Sequence, residues 1–68
     1  EKKDYDPPYE AARTLPEKMR LTVVLFYFED MDIRSAAEVL GVPPGTVKSR
    51  LSKARKLLKE VLGDETDL

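Results

Sequence analysis

The chain reads as an all-α protein, a small four-helix domain containing a helix-turn-helix. Three observations lead there. A short apolar helical pattern ends at Gly41, Pro43 and Pro44 follow, and a longer helical pattern thick with cations then opens. That order is the layout of a helix-turn-helix, whose second helix enters the major groove of DNA. Stepping 100° per residue from Val47, the residues Leu51, Ala54, Leu58 and Val61 fall within about 40° of it, so the long helix has one apolar stripe.

Sixty-eight residues make one domain with room for only a thin core. There is no Cys, so neither disulfides nor thiolate metal sites supplement that core. The most apolar run, Leu21 to Phe28, is far too short to span a membrane. No signal-peptide pattern is visible, and a start at Glu1 rather than Met leads us to expect a piece of a longer protein.

Residues 1–6 are charged and lack periodicity, and are expected to form a flexible arm. The folded domain is expected over 7–62. Asp6 can cap a short helix begun by Pro7 and Pro8, because the first helical positions need no N–H donor. In that helix Tyr9 and Ala12, with Arg13 beside them, are expected to face inward. It should stop before Pro16, since a residue preceding proline avoids the helical region.

Pro16 opens the second helix, with Glu17 placed where the helix dipole favours an anion. This helix is expected to run to Glu29 or Asp30. It carries two apolar stripes at helical spacing. Leu21, Val24, Leu25 and Phe28 are read as core. Met19, Val23 and Phe26 lie roughly opposite, and two readings of them stay open: a cover for the first helix, or an exposed surface that docks a partner protein.

Asp32 is placed to cap the third helix, Ile33 to Leu40, whose inner face is Ala36, Ala37 and Leu40. Gly41 is expected to end it in the left-handed conformation. Pro44 then sits in the first turn of the fourth helix, where no side-chain oxygen caps the free N–H groups. Gly63 closes that helix, and 63–68 is expected to be a disordered acidic tail.

Charge separates this last helix from everything before it. Pro44 to Leu62 carries 6 cations (Lys48, Arg50, Lys53, Arg55, Lys56 and Lys59) against one anion, Glu60, a balance of +5. The other 49 residues carry 6 cations and 12 anions, a balance of −6 within a chain whose net charge is −1. One strongly basic helix on a mildly acidic body is the footprint expected of a nucleic-acid reader. Opposite the apolar stripe lie Gly45, Ser49, Ser52 and Lys56, flanked by Thr46, Lys53 and Lys48. Small polar side chains and lysines suit a surface that approaches base edges closely.

Catalysis is not expected. Without His or Cys, the usual general bases, nucleophile pairs and zinc sets are missing. Glu29, Asp30 and Asp32 sit together, but without the ligand spacing of a calcium loop they read as a polar helix end and turn. No cofactor and no metal are expected.

Particular residues carry a family likeness. Leu15-Pro16-Glu17-Lys18-Met19-Arg20, Phe26-Tyr27-Phe28-Glu29-Asp30, the run from Gly41 to Leu51, and Lys53-Ala54-Arg55 resemble the C-terminal region 4 of bacterial sigma factors. The likeness is nearest to the extracytoplasmic-function group and covers Leu15 to about Leu62. It implies a cytoplasmic, monomeric domain that binds the promoter −35 element and attaches to RNA polymerase through the β-subunit flap. An anti-sigma factor is a further partner the family implies. Carried onto this chain, the base-facing positions are Lys48, Ser49, Ser52 and Lys53. The DNA-backbone positions are Thr46, Arg50 and Arg55, with Lys56 added from its place on the outer face. Arg50 falls about 60° from Val47, at the edge of the core, so a phosphate or an internal acid could partner it.

The chain also departs from the family pattern. Asp32 stands where Ser or Thr is frequent, and Arg34 and Ser35 stand where acids are, so the usual capping box is missing. Ala36 replaces a larger apolar residue. Phe26 stands where a cation is common, which favours the docking reading of its stripe. Two alternatives stand beside it: the effector domain of a response regulator, sharing Thr46-Val47-Lys48 but usually lacking the Leu15-Pro16-Glu17-Lys18 opening, and a protein-interaction module whose basic helix meets an acidic anti-sigma regulator.

Overall fold

A computed structural model describes residues 9–62, the last of them by its backbone alone. The described chain runs through helix α1 (Tyr9–Ala12), α2 (Glu17–Val23), a π-helical turn (Val24–Phe28) that continues α2, α3 (Ile33–Leu40) and α4 (Pro44–Leu62). No strand occurs among the described residues. The expected arm over 1–6, the cap at Asp6 with Pro7 and Pro8, and the acidic tail over 63–68 lie outside them.

α4 is the element around which the others assemble, touching α1, α2 and α3. Val47, Leu51, Ala54 and Leu58 are all buried, as their spacing on one face requires. Val61, expected to continue that stripe, is instead 58 % exposed. A 19-residue helix is about 28 Å long. Among the described residues the buried stripe therefore ends at Leu58.

α1 is a single turn, and the small Ala11 and Ala12 are what it buries. The expectation that Tyr9 faces inward was incorrect. Tyr9 is 58 % exposed, and its ring meets Phe28 edge to face with centroids 5.6 Å apart. Arg13 is exposed as well. In so short a helix, two alanines permit the closest approach to the core and the bulkier ring is left at the margin. Amides of Arg13, Thr14 and Leu15 donate back to Tyr9, Ala11 and Ala12, and the chain stops before Pro16 as expected.

The second helix overturns a reading of its two stripes. Val23 and Phe26 are fully buried and Met19 is half-buried, whereas Leu21 and Phe28 are 44 % and 38 % exposed. Val24 and Leu25 are intermediate. The inward face is the one continuous with Leu15, itself buried just before the helix. Leu15, Met19, Val23 and Phe26 follow one another three or four residues apart. Thr22 lies on the same side, fully buried, and its hydroxyl donates to the Lys18 carbonyl at 2.8 Å. That back-bond satisfies the only polar group it brings into the core.

The expected single α-helix to Glu29 or Asp30 is replaced by α-helix followed by a π turn. Glu29 N–H donates to the Val24 carbonyl five residues back, at 2.9 Å. Asp30 follows with φ 59°, a left-handed conformation that Asp adopts more readily than most side chains. Met31 N–H then closes the end on the Leu25 carbonyl at 3.0 Å.

α3 matches its expected limits. The Asp32 carboxylate accepts from Ser35 N–H at 2.7 Å, capping the helix without a capping box. Ile33, Ala36 and Ala37 are buried and Leu40 is half-buried. Gly41 has φ 70° and ψ 34°. Its N–H donates to the Glu38 carbonyl and that of Val42 to the Ala37 carbonyl, the paired bonds of a Schellman ending.

Candidate nucleic-acid interface

The α3–α4 elbow sets how α4 is presented. After Gly41, the Pro43 carbonyl accepts from Thr46 N–H at 3.0 Å and Val47 N–H at 3.4 Å, so α4 begins directly at Pro44. Proline's fixed φ suits that position, and its missing N–H costs nothing there. Gly45 opens onto space: a Cβ there would meet nothing within 4 Å.

With Val47, Leu51, Ala54 and Leu58 committed inward, the opposite side of α4 is free. Lys48, Ser49, Ser52 and Lys53, the four positions read as base-facing, are all exposed, as is Lys56. Thr46 and Arg50 are half-buried at the flanks. The result is a strip of hydroxyls and ammonium groups bordered by guanidinium groups, with no acid between Pro44 and Lys59. Such a strip attracts a polyanion along its length.

Arg55 is held more tightly than sequence reasoning anticipated. Its Nε–H donates to the Tyr27 hydroxyl at 3.3 Å. It also joins Lys48, Ile33 and Leu51 around a cavity of about 30 Å³ between the start of α3 and the middle of α4. Tyr27 is therefore a site residue that the sequence did not single out. It lies 28 positions from Arg55, and neither charge nor apolar spacing points to it.

The docking stripe is not brought to the surface. Val23 and Phe26 belong to the core and Met19 packs against it, so the reading of those three as an exposed partner surface is corrected. The apolar side chains that α2 and the π turn do present are Leu21 and Phe28, with Tyr9 beside Phe28. Among the described residues, no group of three or more potential metal ligands comes together, and no helix is long and apolar enough to cross a membrane. Asp32 serves as the cap of α3.

Comparison with known proteins shows the family. The family model described as sigma-70, region 4 matches residues 9–58. The chain belongs to that family. Sigma-factor region 4 is a helix-turn-helix DNA-binding domain of transcription initiation factors, which excludes the response-regulator alternative. Among sigma-factor relatives, the chain is 38 % identical over 50 residues to the ECF RNA polymerase sigma factor SigW of Bacillus subtilis, covering 74 % of this chain and 27 % of that protein. It is 37 % identical over 57 residues to the RNA polymerase sigma factor SigV of the same organism, covering 84 % and 34 %. The RNA polymerase sigma factor HrpL of Pseudomonas syringae is 43 % identical over 51 residues, covering 75 % and 28 %. This region 4 domain thus spans about a quarter to a third of the length of the curated relatives it matches. No solved structure matches it.

Proposed function

We propose that this region 4 domain recognises the promoter −35 element through the outward strip of α4 while its parent factor is held on RNA polymerase. The exposure of Lys48, Ser49, Ser52 and Lys53 on one side of a helix whose other side buries Val47, Leu51, Ala54 and Leu58 carries the reading. Lys48, Ser49, Ser52 and Lys53 reach base edges. Thr46, Arg50, Arg55 and Lys56 contact the phosphates that set register. Attachment to the β-flap falls to the outward apolar face of Leu21 and Phe28, since Val23 and Phe26 are buried. The domain acts as a monomer in the cytoplasm, and an anti-sigma factor that covered the basic strip would silence it.

Titration of the labelled domain with a −35 duplex and with a scrambled duplex tests this. Resonances of residues 46–55 should shift more with the promoter duplex, and the shifts should shrink as salt is added. Equal responses to both duplexes would remove specific recognition from this helix.

A further inference from the structure

The side chains around Arg55 form a small assembly of their own. The guanidinium is planar and carries five N–H donors in a fixed fork. With Nε–H given to the Tyr27 hydroxyl at 3.3 Å, the four Nη hydrogens remain in a plane whose direction is set. Two of them can meet two oxygens of one phosphate side by side. Tyr27 is itself fixed, because its ring stands edge-on to the fully buried Phe26 with centroids 5.0 Å apart and planes at 87°. It also lies within the π turn Val24–Phe28, a local form that recurs at functional positions. The cavity beside Arg55, about 30 Å³, has room for an oxygen-sized atom. Lys48 lies two helical turns from Arg55 and lines the same cavity, so two cations flank a space of oxygen size.

We infer that Tyr27 is a positioning residue: it aims the Arg55 guanidinium at a DNA phosphate whose oxygen seats in the cavity beside Arg55. The inference deepens the DNA-binding reading and rests on it. Tyr27 acts through Arg55 by removing rotamer freedom before DNA arrives, which lowers the ordering cost of binding. The contact is to the backbone, so it strengthens binding without favouring any base.

Fluorescence anisotropy of the 68-residue chain on promoter and scrambled duplexes tests it, with Tyr27→Phe, Arg55→Ala, Arg55→Lys and the Tyr27→Phe/Arg55→Ala double variant. Tyr27→Phe keeps the ring and loses the hydroxyl. It should weaken both duplexes about threefold to tenfold, the size expected for one hydrogen bond, and leave their affinity ratio unchanged. In the Arg55→Ala background the same change should have no further effect. Arg55→Lys, which keeps the charge and loses the fork, should bind more weakly than the unsubstituted chain. Binding by Tyr27→Phe equal to the unsubstituted chain, or an undiminished loss in the Arg55→Ala background, overturns the inference. So does a helical signal that falls with Tyr27→Phe in step with its affinity. Equal binding of the two duplexes by the unsubstituted chain counts against −35 recognition alone, because a phosphate contact is blind to sequence. No binding to either duplex removes both readings.

Discussion

Helices α2 and α4 face each other across the core, yet their rotations are fixed by different forces. α4 buries Val47, Leu51, Ala54 and Leu58 and turns Ser49, Ser52, Lys53 and Lys56 to water. Turning it about its axis would bury ammonium groups without partners, a cost of several kcal/mol for each on the order-of-magnitude scale. α2 and its π turn bury Val23 and Phe26 but also show Leu21 and Phe28 to solvent. Turning them exchanges one apolar set for another, so the choice depends on fit against the neighbours rather than on polarity. An orientation set by charge survives loose packing. One set by fit depends on individual side chains.

The sharpest way to break that contrast is Phe26→Ala. It should cost about 3–5 kcal/mol, much of what a domain this small has, and urea unfolding would register it as a large fall in midpoint. An equally large loss from Leu21→Ala would show that both stripes of α2 are packed and erase the distinction. Lys53→Ala, on the outer side of α4, should leave unfolding unchanged while removing about 1–3 kcal/mol of discrimination between promoter and scrambled duplexes. If the unfolding midpoint falls instead, the two sides of α4 are not independent. Gly41→Ala tests the elbow that sets the direction of α4: φ 70° is open to glycine and costs an L-residue about 1–2 kcal/mol, again read by unfolding. The smallest change is expected for Leu21→Asp, within about 0.5 kcal/mol in stability. The same variant should lose binding to a β-flap fragment, measured by titration, and retained binding would move the docking face elsewhere.

The same contrast explains which parts of the fold were legible in the residues. Asp32 and Gly41 bracket α3 with a side-chain cap and a left-handed ending, two local devices that act regardless of tertiary context. The inward stripe of α4 was legible as far as Leu58 because its alternative was charged, and illegible at Val61, where the spacing continues but the burial does not. In α2 both sides are apolar, so spacing alone could not rank them. Thr22 adds to the ambiguity, being a polar residue whose hydroxyl is satisfied inside its own helix. The π turn leaves no compositional mark, since it is built from Val24, Leu25, Phe26, Tyr27 and Phe28, which suit an α-helix equally well. On the candidate site, the exposed strip followed from spacing and charge. The Tyr27–Arg55 contact did not, because it joins two helices through a single hydroxyl.

The division of α4 into a buried side and an open side also bears on descent. Residues 49, 52, 53 and 56 can be exchanged one at a time without disturbing a core neighbour, whereas 47, 51, 54 and 58 are tied to three other helices. Duplicated copies of such a domain could diverge quickly in what they present to a partner while keeping the same interior. Arg55 and Lys48 stand at the seam between the two groups, and exchanges there would be felt on both sides at once.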